Sequence, residues 1–149
     1  MARQRDVGGK PRVARTAVAV GELTLSAATR RAVRARRVEK GDPIAAGELA
    51  GLLAMKRTSE LIPHCHVVGL TASRVELRPS TRGVRVRTEA STVDRTGVEM
   101  EALVAATVAL LTLWDMVKYL EKDDRGLYPR TSLGPVRVLA KRKGAPERS

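Results

Sequence analysis

The stretch from Ala102 to Trp114 carries no charge, and apolar residues fall on every side of its helical wheel. A helix that is apolar all round is typical of a buried element. Thr96, followed three residues later by Glu99, has the spacing of a capping box, in which each side chain bonds the amide of the other residue. We therefore predict a buried central helix that begins at Thr96 and continues through Lys118.

Alternating apolar and polar positions predict strands on both sides of this helix. The alternation is clean at residues 84–89, is also present at residues 15–25 and is imperfect at residues 67–78. Residues 136–140 are expected to form the last strand. Thr81-Arg82-Gly83 lies between two of these segments and has the composition of a hairpin turn. The two strands around this turn are therefore expected to be antiparallel neighbours.

Two more helices are predicted between the first and second strands. Ser26 is a suitable N-cap for a short basic helix over residues 27–37, and Asp42 with Pro43 is a strong start signal for a helix over residues 44–61. Ile62-Pro63 ends that helix. The order strand, helix, helix, strand, strand, helix, strand predicts an α+β fold with helices packed on one face of an antiparallel sheet.

The charge of the chain points to an anionic partner. Its 149 residues suffice for one domain with a real core, and the formal net charge is +12. Such a charge suits nucleic acid or a small molecule that bears a polyphosphate. Because single-strand binders usually offer aromatic stacking surfaces, the presence of only one Trp and two Tyr favours the small anion.

Cysteine usage and hydropathy bear on the compartment. One cysteine excludes an internal disulfide and suits a reducing environment. We find no apolar run of membrane-spanning length, and the N-terminal segment lacks the apolar core of a signal peptide. The expectation is a cytoplasmic protein without a membrane partner.

The domain organisation is predicted to be simple. Residues 1–12 are expected to form a flexible basic arm, and residues 13–142 a single catalytic α+β domain. Residues 143–149 are expected to form a basic tail, with fraying from Lys141 onward.

The triplet His64-Cys65-His66 holds both histidines and the only cysteine of the chain. Zinc needs three or four ligands, and no other His or Cys is present to complete a set. Neighbours in an extended chain do not face each other, which weakens a catalytic Cys–His pair. A single histidine that lines a pocket is the favoured interpretation. Asp115 and Lys118, spaced i, i+3, are either a surface ion pair or a functional pair.

Four sequence blocks carry a resemblance to a known family. They are Lys56 to His66 (KRTSELIPHCH), Thr96 to Leu103 (TGVEMEAL), Asp115 to Lys118 (DMVK) and Gly134 to Arg137 (GPVR). Together they resemble the cyclic pyranopterin monophosphate synthases, the MoaC family of molybdenum cofactor biosynthesis. The resemblance covers residues 5–143. Departures from the family pattern are His64, Val67, a longer loop at residues 122–133, and Arg142-Lys143-Gly144 in place of the family's Gly-rich stretch after the C-terminal lysine.

The resemblance implies a ferredoxin-like subunit that dimerises, with dimers assembling into a hexamer and the active site at the dimer interface. It implies a lyase that converts 3',8-cyclic dihydro-GTP to cyclic pyranopterin monophosphate with release of pyrophosphate. The expected partners are this triphosphate substrate and further copies of the chain, but not nucleic acid. No metal site and no cofactor are expected, although the sequence leaves open whether Mg²⁺ assists.

Carried over to this chain, the family's sites are of two kinds. The catalytic positions are Lys40, Asp115 and Lys118. The substrate-binding positions are Arg15, Lys56, Cys65, His66, Glu99, Met100, Glu101 and Lys141. The hypothesis is that Lys118 is the acid/base, oriented by Asp115, with a pKa lowered by neighbouring cations, and that Lys40 acts at the ring or the phosphates. Arg15, His66 and Lys141 would bind the phosphates.

Two other functions remain open at this point. A small basic nucleic-acid-binding protein would explain the charge and the Arg-rich helix, but not the acidic residues that bracket a buried helix. A structural subunit that keeps the fold without turnover is the other alternative. The presence of Lys40, Asp115 and Lys118 argues against it.

Overall fold

A computed structural model describes residues 1–146 of the chain. Residues 1–12 contain no helix or strand. The elements that follow are β1 (Val13–Thr24), α1 (Ala27–Arg34), α2 (Pro43–Lys56), α3 (Thr58–Leu61), β2 (Leu70–Pro79), β3 (Gly83–Asp94), α4 (Glu99–Glu121), β4 (Ser132–Leu133) and β5 (Arg137–Pro146).

The strands form one antiparallel sheet. The order is β2-β3-β1, and both β4 and β5 pair with the other edge of β1. β1 and β3 pair along their whole length, from Val13 opposite Asp94 to Thr24 opposite Gly83. This order, with helices in the two crossovers, is the ferredoxin-like arrangement. The predicted fold class is therefore confirmed.

The core lies between the sheet and helix α4. Leu110 and Leu113 of α4 are completely buried, as are Leu23 and Val84 of the sheet. Helix α2 lies beside α4 and runs antiparallel to it, because Gly47 faces Ala109 while Gly51 faces Ala105. A Cβ at Gly51 would lie 3.0 Å from the Ala105 carbonyl oxygen, so glycine permits this close approach.

The apolar composition of α4 corrects one sequence-based expectation. This helix of 23 residues contains an 18-residue window with a mean hydropathy of 1.6, so it is long and apolar enough to cross a membrane by length and composition alone. The expectation that no segment reaches that limit is therefore wrong. Burial against the sheet and α2 explains the composition within this fold.

The prediction of a capping box at Thr96 is wrong. Helix α4 begins at Glu99 with Val98 as its N-cap, and no side chain of residues 1–146 caps it. The carboxylate of Glu99 instead accepts a hydrogen bond from Lys141. The other two predicted caps are confirmed, because Ser26 accepts from the Thr29 amide and Asp42 accepts from the Ile44 amide.

Several element boundaries differ from the predictions. The helix predicted over residues 44–61 is divided at Arg57 into α2 and α3. Strand β3 continues to Asp94, and the two-residue strand β4 was not predicted. The prediction of fraying from Lys141 is wrong through residue 146, because β5 pairs with β1 over this length. The rest of the predicted tail, residues 147–149, lies outside the described residues.

Candidate active site

A pocket of about 520 Å³ opens at the N-terminal end of α4. Five of the predicted substrate-binding residues line it, from the segment before β2, the first turn of α4 and strand β5: Cys65, His66, Glu99, Glu101 and Lys141. Met100 is a sixth, and its side chain is partly exposed. The structure thus brings together residues that lie up to 76 positions apart in the sequence.

Glu99 and Lys141 form an ion pair at this pocket, with 3.0 Å between Oε1 and Nζ. Burial alone would raise the pKa of Glu99, but its own backbone amide and Lys141 together hold that pKa below its ordinary value. The charge of Arg15 acts in the same direction. Arg15 donates to the carbonyl oxygens of Asp94 and Arg95, so it borders the pocket without lining it.

Glu101 is the buried acid of the pocket, with only 5% of its surface exposed. Burial raises its pKa, and the negative charge of Glu99 raises it further. Burial and the charge of Glu101 also raise the pKa of the Cys65 thiol. A carboxyl group with a raised pKa beside an ionised one is suited to hold or release a proton.

His66 lies in contact with the N-terminal segment. Its Nε2 is 2.7 Å from the backbone carbonyl oxygen of Arg5, which only accepts, so Nε2 carries the proton and donates. Gln4 bonds the Cys65 carbonyl oxygen at 2.7 Å. Residues 4 and 5 therefore lie at the rim of the pocket.

A β-bulge places Lys141 on the pocket side of the sheet. Val138 is opposite Ala19 and Lys141 is opposite Ala17, although strict alternation would place residues three apart on opposite faces. The extra residue, Leu139, restores the alignment by shifting the register. Without this bulge the Lys141 ammonium would point away from Glu99.

The predicted catalytic residues form a second cluster at the other end of α4. The Asp115 carboxylate accepts from Lys118 at 2.6 Å through Oδ1 and from Lys40 at 3.2 Å through Oδ2. Lys40 also donates to the Asp115 backbone carbonyl oxygen at 3.1 Å. The pair of Asp115 and Lys118 is therefore part of a three-residue cluster that includes Lys40.

The charges of this cluster stabilise one another. Hydrogen bonds from Lys118 and then Lys40 hold the pKa of Asp115 below its ordinary value. The bond to Asp115, with its charge, raises the pKa of Lys118. The direction is opposite to the lowered pKa expected from neighbouring cations. Lys118 is therefore held in its protonated form and is suited to act as a general acid before it acts as a base.

The two clusters of one subunit do not meet. Fourteen positions separate Glu101 from Asp115, which is about 21 Å along a helix axis. Helix α2 runs antiparallel to α4, so Lys40 lies near the Asp115 end and Lys56 near the Glu101 end. Lys56 is exposed and does not line the pocket.

Some pocket residues were not predicted as site residues. They are His64, Val68, Thr96, Gly97 and Val138. Thr96 and Gly97 belong to the TGVEMEAL block that carries the family resemblance. They were not predicted to line the pocket, because Thr96 was interpreted as a helix cap. Val138 carried no sequence signal, because it reaches the pocket only through strand pairing. Within residues 1–146, no three His, Cys, Asp or Glu side chains lie together as a metal site requires.

Comparison with known proteins agrees with the geometry. Residues 4–144 match the MoaC family. A probable cyclic pyranopterin monophosphate synthase from Archaeoglobus fulgidus is 46% identical over 145 residues, 97% of this chain and 93% of the relative. One from Methanosarcina acetivorans is 48% identical over 143 residues, 96% and 90% of the two chains.

A third relative carries a different name. The probable cyclic pyranopterin monophosphate synthase accessory protein of Methanothermobacter thermautotrophicus is 45% identical over 141 residues, 95% of this chain and 89% of the relative. The family match spans the pocket, the Lys40–Asp115–Lys118 cluster and the sheet as far as Gly144 of β5. The chain is a member of the MoaC family.

Proposed function

We propose that this protein is a cyclic pyranopterin monophosphate synthase, a lyase that converts 3',8-cyclic dihydro-GTP to cyclic pyranopterin monophosphate and pyrophosphate in molybdenum cofactor biosynthesis. Relatives with nearly full-length matches carry the name of this synthase. The observation that carries the proposal is the Lys40–Asp115–Lys118 cluster, because three charged side chains meet there on an exposed surface. Such an arrangement is suited to proton transfer and to contact with an anion.

The roles follow from the charges. The substrate carries a triphosphate, and lysine and arginine side chains stabilise the negative charge that develops on departing pyrophosphate. Lys141 and Arg15 lie beside the pocket, and His66 presents an N–H that now bonds the Arg5 carbonyl oxygen. Phosphate binding would exchange that bond for a bond to a phosphate oxygen. Lys118, kept protonated by Asp115, supplies a proton, and Glu101 accepts or returns one in the pocket.

The complete site is proposed to form between two subunits. One subunit holds the pocket and the lysine cluster about 21 Å apart, which is too far for one small substrate to contact both within that subunit. A two-fold axis that packs α4 against a second α4 in antiparallel fashion would bring the pocket end of each helix to the lysine end of the other. Two equivalent sites result, as in an isologous dimer.

An outward stripe of α4 has the composition for this contact. Met100, Val104, Val108 and Leu111 follow one another at i, i+4, i+8 and i+11, and the stripe continues through Asp115 to Lys118. Leu49 and Leu53 of the adjacent α2 are at least half exposed, and Leu111 is 48% exposed. Exposed apolar side chains in one helix layer mark an association surface.

The remaining features are part of the same proposal. Three dimers assemble into a hexamer, the enzyme works in the cytoplasm, and it needs no cofactor. A dependence on Mg²⁺ can be tested separately by measuring turnover in the presence of a chelator. Turnover should stay unchanged if the lysines alone neutralise the charge of the triphosphate.

The direct test is anaerobic incubation of the purified protein with 3',8-cyclic dihydro-GTP, following pyrophosphate and the pterin product together. We expect equal amounts of both from the native protein and loss of at least about 99% of turnover in Lys118→Ala, since general acid catalysis contributes about 100-fold or more. Lys122→Ala, four residues further along and outside the cluster, is the matched control. Turnover near the native value in Lys118→Ala would refute the role, and no product from the native oligomer would refute the function.

A further inference from the structure

The face of the sheet that the helices leave uncovered contains a second cleft, of about 920 Å³. Six arginines line it: Arg34, Arg78, Arg82, Arg85, Arg87 and Arg137. Glu22 and Glu76 are the acidic residues of its wall, and no lysine or aromatic residue contributes among residues 1–146. An all-arginine cation set is typical of recognition of planar or branched oxyanions, because the guanidinium donates in a fixed fork.

Strand register explains why these side chains lie together. Arg78 of β2 is directly opposite Arg85 of β3, and Arg85 is directly opposite Glu22 of β1. Directly opposed like charges destabilise a sheet. One carboxylate therefore serves more than one guanidinium, and an anion in the cleft would offset the remaining repulsion.

Glu22 fixes the position of two of the guanidiniums. Its carboxylate accepts from the Ser80 hydroxyl at 2.7 Å and from Arg82 Nε at 3.1 Å, and it lies 3.4 Å from Arg85 Nε. Only 5% of Glu22 is exposed. Burial would raise its pKa, but the bonds from Ser80 and Arg82 and the charges of the two arginines hold it below its ordinary value.

Three of the six arginines form no ion pair with a carboxylate of the described residues: Arg34, which donates to the Ser80 carbonyl oxygen, and Arg87 and Arg137. Arg87 and Arg137 are both directly opposite Val20, on either side of β1. Two strand spacings put their Cα atoms about 10 Å apart. Among the described residues, neither has a carboxylate oxygen within 4.0 Å, although Glu76 of β2 is directly opposite Arg87 and the charge of Arg87 helps to lower the pKa of Glu76. Arg87 and Arg137 form a fork across β1 whose hydrogen-bond donors are available to a ligand.

From this geometry we infer a second anion site on the open sheet face, which binds the diphosphate or triphosphate chain of a small molecule between Arg87 and Arg137, with Arg82 and Arg85 as fixed neighbours. The cleft volume falls in the range of small-molecule sites. Because no aromatic side chain of the described chain lines it, a nucleobase finds no stacking surface there. Recognition is therefore through the phosphate chain and is independent of the base.

Two other occupants fit the observations less well. A second copy of this face would bring two arginine sets together, and like charges oppose that contact. Single-stranded nucleic acid normally needs stacking surfaces in addition to cations. The inference does not rest on the proposed function, because Arg87 and Arg137 lie on the face of the sheet opposite to the helices and the pocket.

The test compares ATP with inorganic tripolyphosphate by titration calorimetry on the native protein, Arg87→Gln/Arg137→Gln and the control Arg31→Gln/Arg37→Gln. The control removes the same charge from exposed positions near α1 that do not line the cleft. We expect affinity for both probes at this site to fall at least about tenfold (~1.4 kcal/mol) in the first variant, and less than about twofold in the control. Side-chain Nε resonances of Arg87 and Arg137 should shift on titration, while turnover of the native substrate stays unchanged.

Equal affinity of the native and Arg87→Gln/Arg137→Gln proteins for both probes would overturn the inference. Equal losses in the two double variants would also overturn it, because the effect would then be one of net charge. Weakened binding of duplex DNA by Arg87→Gln/Arg137→Gln, with tripolyphosphate binding unaffected, would reassign the cleft to nucleic acid.

Discussion

Single carboxylates determine the behaviour of both clusters at the residue scale. Asp115 is exposed and ionised, and it holds two lysines by direct hydrogen bonds. Glu101 is buried, and its pKa is raised. The two residues lie on one helix, so their different proton affinities follow from burial and neighbours rather than from position in the sequence.

Asp115→Asn should impair catalysis through Lys118. Removing the charge lowers the pKa of Lys118 from its raised value, and protonated Lys118 is the proposed acid. Because the Asp115 carboxylate also orients the Lys118 ammonium through a 2.6 Å hydrogen bond, we expect kcat to fall about 100-fold. The lower pKa of Lys118 should move the alkaline limb of kcat to lower pH. Because the pKa of Lys118 is raised from an ordinary value of 10.5, measurement of kcat from pH 7 to pH 12 checks both effects, with exposed Asp124→Asn as the control. An alkaline limb that stays at the same pH would show that Asp115 does not set the pKa of the catalytic acid.

Glu101→Gln should change the pH dependence of stability. The folded-state pKa of Glu101 is raised, so the native protein is favoured below the unfolded pKa of about 4.3 and loses that contribution as pH rises through the folded pKa. Gln does not ionise and avoids this loss. The free energy of unfolding of the variant relative to native should therefore increase from pH 4 to pH 8.

Urea unfolding at one protein concentration measures this difference, since oligomers unfold in a concentration-dependent manner. Exposed Glu60→Gln should show no such trend. If the difference between Glu101→Gln and native instead shrinks as pH rises, Glu101 is stabilised as the ionised form and cannot hold the proton proposed for it.

At the scale of elements, features that depend on neighbouring residues could be predicted from the sequence, whereas features that depend on strand pairing could not. The central helix, the hairpin and the caps at Ser26 and Asp42 follow from sequence signals of adjacent residues. The bulge at Leu139 and the continuation of β5 depend on β1, a partner more than 100 positions away, so local alternation could not reveal them. For the same reason, the pocket position of Lys141 came only from the family resemblance.

The interpretation of Thr96 and Glu99 failed for a related reason. The spacing fits a capping box, but Lys141 arrives from β5 and binds the Glu99 carboxylate. A tertiary ion pair thus replaced a local hydrogen bond. The two residues keep a common location, since both line the pocket.

The contact between α2 and α4 should be sensitive to a single methyl group. A Cβ at Gly51 would lie 3.0 Å from the backbone oxygen of Ala105, which cannot move without the helix. We expect Gly51→Ala to lower the free energy of unfolding by about 1–3 kcal/mol, although alanine favours helix formation. Chemical denaturation measures this change in free energy. Gly69→Ala is the control, because no atom of the described residues lies within 4 Å of a Cβ placed at Gly69. A Gly51→Ala protein that is more stable than the native protein would show that α2 and α4 can move apart to accept the methyl group without a loss of packing.

For the whole molecule, charge and apolar surface have different locations. The open sheet face carries the arginine cleft, whereas the helix layer carries exposed leucines. The proposed dimer uses the helix layer, which leaves the basic face free. The sequence predicted an anionic partner from net charge alone, but only the strand register shows how arginines from three strands meet.

Leu111→Lys should disrupt the proposed contact between the two subunits of each dimer. Leu111 lies between the two clusters on the outward stripe of α4, and its side chain contributes to neither cluster. A charge there would be buried in the contact without a partner, which is costly. Sedimentation velocity should show dissociation, together with loss of turnover, while Leu139→Lys on β5 stays assembled. An intact and active Leu111→Lys oligomer would exclude α4 from the interface.

The central claim is that the pocket of one subunit works with the lysine cluster of another, and co-expression of two inactive variants tests it most directly. Lys118→Ala removes the acid from one cluster, and Lys141→Ala alters the pocket. In mixed dimers, one of the two sites is intact, so random pairing should restore roughly a quarter of native turnover. A mixture of Lys118→Ala with Asp115→Ala, which alters the same cluster twice, should restore none. If mixed oligomers of Lys118→Ala and Lys141→Ala form but stay inactive, the site is not shared between subunits in this way.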